Sequence, residues 1–149
     1  MKFAYFYASS PEIDNYEDLT LPPQSAILSL KCNEFPQKVS VALNIAVIGL
    51  DGDAEPADEF SLEVDIYCGD EKVESYQNIY EPFRVAHVLS SKSELASRYS
   101  FIDTFMAQRS GIYTFVAHLY NGSLPLTSED RAKYIDKIEC SIVIAKDWR

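Results

Sequence analysis

The residues from Gly111 to Gly122, Gly-Ile-Tyr-Thr-Phe-Val-Ala-His-Leu-Tyr-Asn-Gly, constrain the fold more than any other stretch of the chain. In an extended backbone successive side chains go to opposite faces. Tyr113, Phe115, Ala117 and Leu119 therefore share one face, and Ile112, Thr114, Val116, His118 and Tyr120 share the other. Neither face is fully polar, which places the strand centrally in a sheet. The stretch closes on Asn121-Gly122, the dipeptide that most readily supplies the positive φ values of a tight type I′ turn. The rest of the chain must cover this strand.

Similar alternation recurs along the sequence. Phe3, Tyr5 and Tyr7 alternate with Ala4, Phe6 and Ala8, giving a strand over roughly residues 2–8 with two apolar faces. Val39, Val41, Leu43, Ile45 and Val47 alternate with Ser40, Ala42, Asn44, Ala46 and Ile48, a long strand whose second half is apolar on both faces. Phe60, Leu62, Val64 and Ile66 alternate with Ser61, Glu63, Asp65 and Tyr67, and the turn at Gly69-Asp70 predicts a hairpin over 60–77. Tyr99 to Met106 has strand composition, and Ile138, Cys140, Ile142 and Ile144 alternate as a final strand. Ala26 to Lys31 is a further short apolar run.

Helix signals are few. Ser91-Lys92-Ser93-Glu94 and Thr127-Ser128-Glu129-Asp130 have the spacing of capping boxes, predicting one or two turns before Arg98 and a short helix over 128–134. Seven to nine short strands with turn signals about every ten residues define an all-β chain. The fold expected is one domain over 1–149, an antiparallel β-sandwich, immunoglobulin-like or Greek-key, with one or two short helices in the connections. The Gly-x-Tyr-x-Phe pattern ahead of Asn-Gly resembles a late strand of immunoglobulin-like sandwiches. An α+β alternative follows if residues 84–98 make a longer helix.

The chain has 149 residues, enough to bury one core without disulfides. Its three cysteines, Cys32, Cys68 and Cys140, are odd in number and lack CxxC spacing, so they read as reduced thiols of a cytosolic protein rather than as metal ligands. The run Met1–Ser9 reads as a strand rather than a signal segment, because Tyr5 and Tyr7 interrupt it. No run approaches the length that spans a bilayer.

Net charge is −10 and uneven. Residues 1–75 hold 15 Asp/Glu against 4 Lys/Arg, and residues 76–149 hold 8 against 9. Such a field disfavours nucleic acid and anionic membranes and speeds encounter with a basic partner. The acids concentrate in two connections: residues 9–24, where Tyr16 stands among them, and the run Asp51-Gly52-Asp53-Ala54-Glu55-Pro56-Ala57-Asp58-Glu59. That run is no EF-hand, since its glycine is at the second position and no helix carries a distal glutamate. Glu63 and Asp65 are expected to point outward from the next strand and to extend the negative surface.

Motifs for catalysis are missing. The chain lacks GxxxxGK[ST], GxGxxG, GxSxG and HExxH, and its five glycines leave little material for a phosphate cradle. The two histidines, His87 and His118, make a catalytic pair only if one meets a cysteine in space. Arg131, Lys133 and Lys137 are placed to line one helical face, but the other cations are spread. The reading that results is a non-catalytic cytosolic module, without metal or cofactor, of the inhibitor, immunity or phage counter-defence type. It presents Asp51, Asp53, Glu55, Asp58, Glu59, Glu63, Asp65 and Tyr16 to a basic protein. The alternatives are a structural subunit that self-associates through strand edges or exposed aromatics such as Tyr16 and Trp148, and an enzyme whose site has no readable motif.

Overall fold

A computed structural model describes residues 1–11, 26–50, 60–76, 96–122 and 125–146. Among them run β1 (Lys2–Ser9), β2 (Ser29–Lys31), β3 (Gln37–Ile48), β4 (Phe60–Cys68), β5 (Glu71–Val73), β6 (Ala96–Ala107), β7 (Gly111–Asn121), α1 (Ser128–Arg131) and β8 (Asp136–Ala145). Two sheets form, one ordered β1-β3-β6 and the other β2-β8-β7-β4-β5. Every pairing is antiparallel except that of β2 with β8. The fold is an all-β sandwich, and β7 occupies the middle of the larger sheet.

The alternation of each strand builds the core. Val41, Leu43, Ile45 and Val47 of β3 face Leu62, Ile66, Phe115, Ala117 and Leu119 of the other sheet in a shared core cluster, each of them fully enclosed. The outer face of β3 is closed as well, because Ala42, Asn44 and Ala46 are small and lie between β1 and β6. Asn44 donates through Nδ2 to Ser9 Oγ at 2.9 Å and accepts at Oδ1 from Ser100 Oγ at 2.7 Å, so its amide is satisfied across all three strands of the sheet.

The strand order is that of an immunoglobulin-type Greek key. Strands β1, β3 and β6 stand where that scheme puts A, B and E, while β4, β7 and β8 stand where it puts C, F and G. The tyrosine corner is present too: Tyr113, near the start of β7, donates its hydroxyl to Arg109 O at 2.8 Å, four residues upstream. Two residues on, where antibody domains place a disulfide cysteine, this chain has Phe115, and all three cysteines are free. Tyr113→Phe is expected to cost about 1 kcal/mol, the worth of one hydrogen bond, in urea denaturation. An unchanged midpoint would show that the corner contributes nothing.

Gly111 opens β7 because of what lies beside it. A Cβ there would sit 3.0 Å from Cys68 Sγ, so tight that the sulfur would have to give by a few tenths of an ångström. Gly122 takes φ 74°, the left-handed value expected, but no two-residue hairpin follows. The chain continues through α1 and returns only at Asp136, so the tight type I′ turn is replaced by a long connection. Two further expectations are corrected. Ser97 and Arg98 pair with Val47 and Ala46 as strand, not helix, because β3 is long enough to offer them partners. The 60–77 hairpin stops at Val73, after which Ser75 bridges to Phe105 and Tyr76 N donates to Thr104 O in the opposite sheet. Residues 84–95, on which a longer helix depended, lie outside the described residues.

Candidate functional site

The sandwich has one end at which several connections gather. Phe60 at the start of β4 pairs with Asn121 at the end of β7, and Lys2 and Ala96 both pair with Ile48 at the end of β3. The chain between Leu50 and Phe60 and the connection from Gly122 to Ile135 both leave from this end. In the second, Thr127 caps α1 by accepting from Asp130 N at 3.1 Å. The helix has no buried residue, and it stops at Arg131. Lys137 belongs to β8, so the expected basic helical face does not form.

That connection folds over the outer face of the five-stranded sheet. Arg131 Nη1 is 2.7 Å from Glu63 Oε1, and Tyr120 OH lies 3.2 Å from Glu63 Oε2 and 3.0 Å from Arg131 O. Burial, with the Glu63 carboxylate beside it, pushes the Tyr120 phenol up to about 12. Asp65 is held by Lys72 Nζ at 2.7 Å. Glu63 and Asp65 do share the outer face of β4, but their side chains are only 16% and 14% exposed, and each has its own cation. Asp51, Asp53, Glu55, Asp58, Glu59 and Tyr16 lie outside the described residues, as do His87 and Trp148.

His118 lies between Glu63 of β4 and Lys137 of β8 on that same face. Its ring centroid is 4.8 Å from that of Tyr134 in the connection. The cysteines are elsewhere: Cys68 and Cys140 pair across strands with the inward Tyr113 and Phe115, and Cys32 is buried in the core cluster. No cysteine therefore pairs with His118. Burial raises the Cys32 thiol and pushes Cys140 up to about 12, which keeps both protonated and inert. Among the described residues no group of three His, Cys, Asp or Glu is placed to hold a metal, and no helix is long and apolar enough to cross a membrane.

At the opposite end a cavity of about 350 Å³ is lined by residues that include Cys68, Val73, Tyr76, Met106, Arg109 and Tyr113. Arg109 is tied to Glu71 at 3.1 Å across its rim. Deeper in the sandwich, Asp103 is 3% exposed and accepts at Oδ1 from the Ser75 hydroxyl. Burial raises its pKa, outweighing that hydrogen bond and one from the Thr104 backbone. The folded state thus holds the Asp103 proton more tightly than the unfolded chain does, and the stability this group contributes is lost as pH rises through its folded pKa. Thermal midpoints of wild type and Asp103→Asn, compared from the ordinary aspartate value of about 4 upward to neutral pH, should show a steeper decline in the wild type; curves parallel over the whole range would refute the assignment.

Charge separates cleanly from framework. The described residues carry 11 Asp/Glu against 10 Lys/Arg, so 12 of the chain's 23 acids and only 3 of its 13 bases lie in the remaining segments. Segments 12–25 and 51–59 alone hold nine acids and no base. In the connection from Gly122 to Ile135, Leu126 is 89% exposed and Ile135 and Tyr134 are also open to solvent. Sequence reasoning missed Arg131 and Tyr120 as partners of Glu63, because nothing local signals a contact between residues so far apart in the chain. No protein-family model, curated protein or solved structure matches the chain.

Proposed function

We propose that the protein is a non-catalytic binding module of the cytosol that presents an acidic surface to a basic protein partner, as inhibitors, immunity proteins and phage counter-defence proteins do. The segregation of charge supports this reading: a nearly neutral β framework carries an acidic excess concentrated in its connections. Acids gathered in this way speed encounter and fix orientation, while exposed apolar residues such as Leu126 and Ile135 supply the dry centre that affinity requires. The surface lies in the connection 51–59 and the end around it, with Tyr16 in the acidic 12–25 segment. Glu63 and Asp65 serve the framework instead, since their charges are already matched. The test is affinity capture from lysate of the source cell at low and at high salt. One dominant basic partner, lost at high salt, is the expected result.

A second reading, self-association as a structural subunit, has its own observation. Leu28 and Ile112 are 77% and 59% exposed and flank Val143 on the larger sheet, near the start of β7. Capture of the protein alone at either salt, with light scattering that rises with concentration and ignores salt, would favour it and overturn the first.

A further inference from the structure

The connection between β7 and β8 is organised within itself but lightly attached. Arg131 Nε donates to Pro125 O at 3.2 Å, Lys133 bonds Asp130 at 3.1 Å, and Thr127 caps the helix. Yet α1 buries no side chain. Among the described residues, three side-chain contacts hold it to the sheet: the Arg131–Glu63 ion pair, the Tyr120 hydroxyl near Arg131 O, and the Tyr134 ring against His118. Ile135 N donates to Leu119 O where the connection rejoins the sheet.

We propose that residues 125–135 form a latch on the outer face of the larger sheet, and that uptake of a proton by His118 releases it. The argument rests on one atom. His118 Nδ1 is buried and has no hydrogen-bond partner among the described residues. A neutral imidazole tolerates this by leaving Nδ1 as a bare acceptor, but imidazolium carries an N–H at both nitrogens. Protonation under the closed latch therefore creates a buried donor with nothing to receive it, at a cost that is relieved when the latch lifts and water enters.

The charged surroundings do not reverse this. From β4, Glu63 and Asp65 attract the proton, but Arg131 and Lys72 already occupy them. Across β8, Lys137 opposes it, while Glu139 lies two pairs further along, opposite Val116. From the latch come only the phenol of Tyr134 and the guanidinium of Arg131, and from β7 the neutral phenol of Tyr120. Burial outweighs the two carboxylates, and the His118 imidazole is held below its ordinary value. A group with a lower pKa in the closed state than in the open one must shift the balance toward open as pH falls. This holds whether or not the acidic end binds a partner.

Nuclear magnetic resonance of the whole chain tests the proposal, in a His87→Asn background so that one histidine titrates. His118 should titrate below about 6.5, its ordinary midpoint. The proton–proton contact between the His118 and Tyr134 rings should fade over that titration, and the amides of 126–135 should shift with the same midpoint. Tyr134→Ala should move the midpoint up. His118→Gln, judged folded by its amide spectrum, should abolish the transition in 126–135. Persistence of the ring contact in fully protonated protein, or an unchanged transition in His118→Gln, would overturn the latch.

Discussion

Replacing Phe115 with alanine is expected to cost about 3–5 kcal/mol, the range for deleting a fully enclosed aromatic ring. Phe115 is 0% exposed at the centre of the middle strand of the larger sheet. It pairs with Ile66 on one side and Cys140 on the other, and the Phe105 ring meets it edge to face at 5.8 Å. All of these neighbours belong to strands fixed by their own ladders, so none can collapse into the space left behind. Domains of this size are stable by about 5–15 kcal/mol, so this one change removes a large part of the total. Urea titration should show an earlier midpoint with an unchanged slope. Ile112→Ala on the same strand is the control: Ile112 is 59% exposed, and a change within about 0.5 kcal/mol is expected. Equal losses at the two positions would contradict the assignment of inner and outer faces.

Reversing Asp53, Glu55 and Asp58 to lysine is expected to slow association with the basic partner we propose by about 10- to 1000-fold at low salt. The difference should shrink as salt shortens the range of the field to about 10 Å or less. Thermal stability should stay where it was, since the framework carries its own charge balance without these residues. Glu63 is the wrong place to make such a change. A lysine there would face Arg131 and strip an acceptor from the Tyr120 hydroxyl, so lost binding would report a disturbed sheet. An association rate that ignores the triple reversal would end the acidic-surface reading.

Most of the framework was legible because alternation is a local property. Tyr113, Phe115, Ala117 and Leu119 declare their common face within eight residues, and the structure encloses all four. The Thr127 cap was legible for the same reason, since its partner is Asp130. What failed was non-local. A glycine with positive φ ends a strand as well as it turns a hairpin, so Asn121-Gly122 could not announce the long connection that follows. Ala96 to Arg98 sit next to a helix signal, yet the length of β3 decides their state. Glu63 and Asp65 were correctly placed on the outer face, but periodicity tells only which way a side chain points. Whether it meets water depended on its cation: for Asp65, Lys72 of the neighbouring β5, and for Glu63, Arg131, brought over the sheet from a distant part of the chain. The five-acid connection and Tyr16, which lie outside the described residues, were legible only as composition.

The parallel pairing of β2 with β8 also bears on how the chain is made. A ribosome delivers β1, β3 and β6 with their partners in hand, so the smaller sheet can assemble while synthesis continues. The larger sheet cannot close on that schedule. β2 is made before β3, yet its neighbour among the described strands is β8, so it waits for Val143 to Ala145, and Phe3 N waits for an acceptor on Asp136, 133 residues later. Until β8 has been made, the nascent chain carries an unpaired strand and an apolar layer without its lid. Chaperone engagement should therefore persist until β8 has cleared the exit tunnel, and arrest of synthesis just before Asp136 should yield a chain that proteases still cut.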